Sequence, residues 1–153
     1  MVIQSLRELK ERNPGARVFF ISGIVTSDGP LHIDGNLKTL SDYVDKIKSD
    51  GRFGPFVFST PDVFNRPLFA KLDNAGCVNG DYLSFWRDLL RSRLIDGIIM
   101  TPSWQESNGA SHELMTARQI RLNVFSAHLE DGRAIIRVML RNNPFIMPAG
   151  FAA

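Results

Sequence analysis

The sequence predicts a single α/β domain with a Rossmann-like (flavodoxin-like) parallel sheet and helices on both faces. Three observations support this fold class. Short continuous apolar segments alternate with amphipathic ones, which is typical of strands separated by helices in a parallel sheet. The length of 153 residues fits one domain that spans residues 1–153. Hydrophobic residues make up 44% and charged residues 22%, so the composition is that of an ordinary globular protein.

The first half of the chain predicts two helices and two strands. Residues 3–9 have a helix-like apolar spacing that ends at the Asn-Pro-Gly sequence 13–15. Residues 17–23 form an apolar run without polar alternation, as in a strand that is buried on both faces. A polar loop follows, and residues 37–47 then carry apolar side chains on one helical face. Residues 56–59 are predicted to form the second strand.

The middle of the chain is predicted to be irregular. Residues 60–80 are rich in proline, asparagine and glycine, which predicts a long loop with at most a short helix. A loop of that length inside a compact domain tends to be functional. After it the alternation resumes with a helix at 81–93, a strand at 98–101, a helix from about Gly109 to Gln119, and strands at 122–125 and 134–139.

Charge, apolar runs and cysteine content narrow the class of partner. A net charge of +2 with scattered basic residues argues against polymeric nucleic acid, because proteins that bind it carry a clustered basic face. No apolar run is long enough to span a bilayer, and no signal peptide is recognisable. The lone Cys77 excludes an intramolecular disulfide and suits a reducing compartment. We therefore expect a cytoplasmic protein without membrane contact.

Polar residues cluster where two buried strands are predicted to end. In a doubly wound sheet, ligands bind at the carboxyl ends of the strands, here at Ser22 and Gly23 and in the loop after the third strand. In that loop, Ser107, Asn108 and Gly109 stand at the start of a predicted helix, where free N–H groups and the helix dipole favour an anion, phosphate above all. The spacing leaves open a plainer role, in which Ser107 or Asn108 caps the helix.

Glu113 is the candidate nucleophile. It falls in the first turn of the predicted helix, where the dipole favours its ionised form. An ionised carboxylate can attack a sugar carbon in a retaining glycosidic mechanism and form a covalent glycosyl-enzyme. From the residues alone, a surface carboxylate that only complements the dipole is the simpler explanation.

A series of motifs favours the catalytic role of Glu113 over that of a surface carboxylate. An Asp-Leu pair at Asp88 is followed by a strand, a Pro-Ser-Trp sequence ending at Trp104, a Ser-Asn-Gly-Ala sequence starting at Ser107, and then Glu113. This series resembles the nucleoside 2-deoxyribosyltransferase superfamily, in particular the phage and bacterial branch related to deoxynucleoside 5′-monophosphate N-glycosidases. The resemblance covers about residues 17–126.

The resemblance implies roles for individual residues. The glutamate that matches Glu113 is the family nucleophile, and the aspartate that matches Asp88 orients or protonates the leaving base. The serine that matches Ser107 lines the 5′-phosphate pocket. Two residues depart from the family pattern. Phe20 stands where several relatives have a tyrosine that contacts the catalytic carboxylate, so that hydroxyl is absent or supplied elsewhere, and Asn108 replaces an arginine, which weakens the case for phosphate.

Other chemistry-bearing side chains carry weaker signals. Trp104 in the loop is a candidate for stacking on a base, whereas Trp86 on an apolar helical face fits the core better. The three histidines lack metal-ligand spacing, and we expect neither a metal nor a cofactor. The expected catalytic residues are Glu113 and Asp88, and the expected substrate-binding residues are Ser22, Gly23, Phe20, Trp104, Ser107, Asn108 and Gly109.

The expected function is that of an N-glycosidase, either a hydrolase or a transferase. It cleaves the N-glycosidic bond of a deoxynucleoside 5′-monophosphate or deoxynucleoside through a glycosyl intermediate on Glu113. The alternatives are a non-catalytic nucleotide-binding protein on the same fold and a phage or host regulatory protein that sequesters a nucleotide signal. Relatives complete their sites across an oligomer interface, so we expect a homo-oligomer whose apolar tail, residues 142–153, lies across a neighbouring subunit.

Overall fold

The fold is an α/β arrangement of five strands and six α-helices within the part of the chain that is described. A computed structural model describes residues 2–64, 66–143, 146–148 and 150–151. The elements are α1 (Val2–Arg12), β1 (Phe19–Ser22), α2 (Ile33–Asp50), β2 (Val57–Ser59), α3 (Thr60–Val63), α4 (Arg66–Asn74), α5 (Asn79–Arg91), β3 (Gly97–Met100), α6 (Asn108–Gln119), β4 (Asn123–Glu130) and β5 (Arg133–Leu140), with 3₁₀ turns at Pro30–His32 and Trp104–Glu106.

The sheet has the strand order β2-β1-β3-β4-β5, and its first four strands are parallel. This order is that of the flavodoxin-like sheets and confirms the predicted fold class. The last strand departs from the predicted all-parallel sheet, because β5 is antiparallel to β4. Asp131 and Gly132 join the two strands with φ values of 50° and 74°, as in a tight hairpin. So short a connection leaves no room for the crossover that parallel pairing requires.

The prediction of a long loop over residues 60–80 is wrong, because α3, α4 and the first turn of α5 occupy most of it. Local capping explains the difference. The Ser59 N–H donates to Asp62 Oδ2 at 2.8 Å, and Pro61 sits in the first turn, where its missing N–H costs nothing. The Val78 N–H likewise donates to Asp81 Oδ2 at 2.7 Å and starts α5.

Two hydrophobic layers enclose the sheet and fix which way the β1 side chains face. Phe20 packs in the layer formed with α1, α5 and α6, whereas Phe19 and Ile21 pack in the layer formed with α2. Side chains alternate along a strand, so Ser22 faces the same side as Phe20, towards α6. The Ser22 hydroxyl, at the carboxyl end of β1, therefore lies on the α6 side of the sheet.

The tail folds onto its own chain in the part that is described. Met147 and Phe151 are buried in the α2 layer, Arg17 donates to the Met147 carbonyl at 2.9 Å, and the Arg52 guanidinium lies 4.7 Å from the centre of the Phe151 ring. These contacts hold the described part of the tail on its own chain, and the expectation that the tail also lies across a neighbouring subunit stays a prediction. The expectation of a homo-oligomer itself stays a prediction. Among the described helices, none combines the length and apolar character needed to cross a bilayer.

Candidate functional site

A cleft opens beside the carboxyl end of β1, where the fold class predicts ligand binding. Its empty volume is about 540 Å³, a figure that includes the open solvent at its mouth. Four segments of the chain contribute to it: the β1–α2 loop, the α3 region, α5 and the start of α6. The lining residues are Gly23, Val25, Thr26, Ser27, Thr60, Phe64, Tyr82, Leu83, Trp86, Ser107, Gly109, Ala110 and Glu113.

Glu113 and Ser22 form the polar centre of this cleft region. Helix α6 turns Ala110, Glu113, Leu114 and Ala117 inward, at the spacing of one helical face. Glu113 is only 5% exposed and Ser22 only 1%. Ser22 Oγ donates a hydrogen bond to Glu113 Oε2, so the end of β1 fixes one oxygen of the carboxyl group.

The protonation state of Glu113 differs from the expectation. Burial raises its pKa from 4.5 to about 8, and the hydrogen bond from Ser22 opposes that rise without cancelling it. Glu113 is the sixth residue of α6 and lies in its second turn, beyond the first turn where the helix dipole acts most strongly. The expected dipole-ionised carboxylate is therefore a mostly protonated acid at pH 7, which ionises above that pH.

Ser107 has both of the roles that the sequence left open. Its Oγ accepts the Ala110 N–H at 3.1 Å and thereby caps α6, and the residue also lines the cleft. Asn108 donates its backbone N–H to Ser27 Oγ at 3.1 Å, which ties the β1–α2 loop to the helix. Asn108 is exposed and lies outside the lining, whereas Gly109 is part of it. Of the expected substrate-binding residues, Gly23, Ser107 and Gly109 line the cleft.

Besides Ser22 and Asn108, three more of the expected site residues, Asp88, Phe20 and Trp104, are absent from the cleft lining. Asp88 lies on the outer side of α5 with its side chain 66% exposed, 3.7 Å from Arg87 Nε. The helix turns Trp86, Leu89 and Leu90 inward, which leaves Asp88 in solvent. Phe20 is fully buried, and its ring stacks on Trp86 at a centroid distance of 4.6 Å.

Trp104 is the third of these residues. It is half-buried, packs against the hydrophobic layer of α1, α5 and α6, and is absent from the cleft lining. Any stacking on a base in this cleft therefore depends on aromatic side chains other than Trp104.

An aromatic wall supplies such rings, and the sequence reasoning missed it. Phe64 lies edge-to-face with Tyr82 at 5.7 Å and with Trp86 at 5.8 Å between ring centres. Tyr82 and Trp86 are one helical turn apart on α5, and the sequence favours a core position for Trp86. Phe64 follows α3, in the segment interpreted as a loop. The capping pair Ser59–Asp62 is the sequence signal that places it, because that pair starts α3.

The described cleft lining holds one carboxyl group. Glu113 is the one acid in the described lining, which includes no lysine, arginine or histidine. Across the described residues, no group of three or more His, Cys, Asp or Glu side chains is placed to hold a metal ion. A scan of protein-family models and searches of curated proteins and solved structures found no match for this chain. The resemblance to the nucleoside 2-deoxyribosyltransferase superfamily therefore stays a prediction.

Proposed function

We propose that this protein is an N-glycosidase that cleaves the N-glycosidic bond of a deoxynucleoside or its 5′-monophosphate, as a hydrolase or a transferase. The observation that carries the proposal is a single buried carboxyl group, Glu113, held by the Ser22 hydroxyl beside an aromatic-walled cleft. One carboxyl group suffices as the nucleophile of a retaining mechanism when it is oriented towards the sugar carbon.

The proposed reaction begins with loss of the Glu113 proton to solvent. Ser22 holds Oε2, so Oε1 attacks C1′ of the sugar while the electron pair of the N-glycosidic bond leaves with the base. The base takes a proton from solvent. Water or a second base then attacks C1′, loses a proton to solvent, and releases the Glu113 carboxylate. Positive charge develops on the sugar in the transition state, and a carboxylate in a poorly hydrated site stabilises that charge strongly. The burial that raises the pKa of Glu113 thus also strengthens its effect once it is ionised.

The aromatic wall suits a planar base. Phe64, Tyr82 and Trp86 support one another by ring contacts and present apolar surface to the cleft. Thr26 and Thr60 are among the lining residues, and their side-chain hydroxyl groups are of the kind that hydrogen-bonds the hydroxyl groups of a sugar. This division of one cleft into aromatic and hydroxyl-bearing surfaces matches the two halves of a nucleoside.

The test is to incubate the protein with the common deoxynucleosides and their 5′-monophosphates and to measure free base by chromatography. Reactions quenched in acid are also digested and examined by mass spectrometry for a sugar adduct on the peptide that contains Glu113. We expect free base, and an adduct on that peptide. Absence of base release from every compound would contradict the proposal.

A non-catalytic nucleotide-binding protein is the second candidate. The observation that favours it is the raised pKa of Glu113, which keeps the carboxyl group mostly uncharged at pH 7. Binding of a nucleoside or nucleotide without base release between pH 6 and 9 would select this candidate.

A further inference from the structure

The described lining of the cleft offers no cationic side chain to a ligand. Apart from Glu113, its one carboxyl group, its members carry hydroxyl groups, aliphatic or aromatic carbon, or no side chain. A phosphate monoester carries a charge of about −1.5 to −2 at pH 7. Moving such a group out of water is costly unless a cation or several hydrogen-bond donors replace its hydration. The described side chains provide no such cation.

The N-terminus of α6 is the remaining source of positive potential, and the chain's own hydroxyl groups accept from two of the three N–H groups in its first turn. The Asn108 N–H donates to Ser27 Oγ and the Ala110 N–H donates to Ser107 Oγ, both at 3.1 Å. An anion that used these two donors would break both hydrogen bonds. It would also release the β1–α2 loop, which the Ser27 contact ties to α6. Two of the three N–H groups in the first turn of α6 are therefore capped, which leaves the Gly109 N–H as the one donor of that turn for a phosphate oxygen.

The proposed reaction adds a further cost for an anionic substrate. Glu113 must ionise before it attacks, so a phosphorylated substrate would bring two negative groups into one poorly hydrated cleft. Repulsion between like charges is stronger there than in water. It would raise the pKa of Glu113 further and reduce the fraction that can react at neutral pH.

We infer that the cleft selects an uncharged nucleoside over the same nucleoside with a 5′-phosphate, and that Ser27 and Ser107 set this preference by capping α6. The inference rests on the proposed function and narrows its substrate class. It differs from the expectation drawn from Ser107, Asn108 and Gly109, which favoured phosphate on the assumption that the donors of the helix were free.

The experiment compares catalytic efficiency on each common deoxynucleoside and its 5′-monophosphate at constant ionic strength, with the full-length chain. We expect the nucleoside to be preferred by about tenfold or more. Equal efficiencies, or a preference for the monophosphate, would overturn the inference.

Binding to Glu113→Gln, measured by calorimetry, separates this inference from the proposed function. Tighter binding of the nucleoside supports the inference even if the wild-type protein releases no base, in which case the proposed function alone fails. Equal or tighter binding of the monophosphate overturns the inference whatever the activity. Failure to bind either compound overturns the inference, and it overturns the proposed function as well when the wild-type protein releases no base.

A gain-of-charge variant tests the physical cause. Asn108 is exposed at the first position of α6 and lies outside the lining, so Asn108→Arg adds a cation beside the cleft without filling it. We expect it to shift the ratio of efficiencies at least threefold towards the monophosphate, and Asn108→Gln to leave the ratio unchanged. The same ratio in the arginine and glutamine variants would overturn the inference.

Discussion

Ser22 and Glu113 are 91 positions apart in the chain, and the hydroxyl of the first donates to Oε2 of the second across a buried contact. The contact joins the carboxyl end of β1 to the second turn of α6. It fixes one carboxyl oxygen and opposes, without cancelling, the effect of burial on the pKa. The reactivity proposed for Glu113 therefore depends on the placement of both elements.

Replacement of the carboxyl group itself is the first test. Glu113→Gln should lower base release by about 10⁴-fold or more, because an amide is a poor nucleophile. The matched control is Glu106→Gln, which makes the same change on an exposed residue outside the cleft lining and should keep wild-type rates. Circular dichroism checks that both variants are folded. Near-normal base release by Glu113→Gln would remove Glu113 as the nucleophile.

Stability should depend on pH through the same group. The unfolded chain releases the Glu113 proton near pH 4.5, whereas the folded protein holds it to about pH 8. The folded state binds more protons in this window, so the free energy of unfolding falls as the pH rises through it. The slope from this group is at most about 1.4 kcal/mol per pH unit.

Urea unfolding of the wild-type protein and Glu113→Gln at several pH values between 5 and 8 measures this slope. The glutamine variant does not titrate there, so its stability relative to the wild type should increase with pH. Parallel curves for the two proteins would contradict a raised pKa. Catalysis should show the opposite trend, since the rate should increase towards pH 8 as the nucleophile ionises.

Ser22→Ala should move the pH–rate profile to higher pH. The hydrogen bond from Ser22 lowers the pKa of Glu113, so its removal leaves the effect of burial unopposed. The buried carboxyl group also loses a partner, at a cost of about 1–3 kcal/mol in stability.

The control for that variant is Ser59→Ala at the end of the neighbouring strand β2. Ser59 Oγ makes a comparable buried hydrogen bond, but to the Ile21 carbonyl at 2.6 Å and not to Glu113. This variant should lose stability and keep the wild-type pH–rate profile. A shift of the pH–rate profile of equal size in both variants would mean that it arises from destabilisation of this end of the sheet and not from loss of the hydrogen bond to Glu113.

Gly23→Ala tests how closely the end of β1 is packed. A Cβ atom at Gly23 would press on the Thr101 side chain and lie 2.9 Å from Leu40 Cδ2, so the strand end must shift. We expect a loss of about 1–3 kcal/mol in stability, together with lower turnover. Gly35→Ala, at the third residue of α2 where an added Cβ meets no other atom within 4 Å, should instead stabilise the protein by about 0.5–1 kcal/mol. Thermal unfolding and base release measured on both variants would show whether the effect is local to the cleft.

Asp88→Asn separates the family expectation from the observed geometry. The resemblance implies that this aspartate acts on the leaving base, which predicts a large loss of turnover. The structure places the side chain in solvent beside Arg87 and outside the cleft lining, which predicts turnover within about twofold of the wild type. Steady-state kinetics on the best nucleoside decides between them, because a loss of a hundredfold or more requires Asp88 to reach the substrate.

The sequence by itself determined the fold class, because the apolar runs of β1 and β3 and the amphipathic face of α2 are local patterns. It also determined the candidate nucleophile and two lining residues at the start of α6, through motifs on one continuous stretch of chain. The signals for the β4–β5 hairpin and for α3 were local as well, an Asp-Gly turn and a Ser59–Asp62 cap, and they were missed.

Only the tertiary structure decided the environment of Glu113. Its pKa is raised by burial among segments that are far apart in the sequence, and no local pattern encodes that desolvation. The tertiary structure also decided that Asp88 faces solvent, because the opposite face of α5 packs on the sheet. It likewise decided that the Ser27 hydroxyl caps α6, since Ser27 lies in a loop 81 positions away from Asn108. Spacing along the chain predicts which residues share an element, whereas the partners of their charged and polar groups depend on how the elements pack.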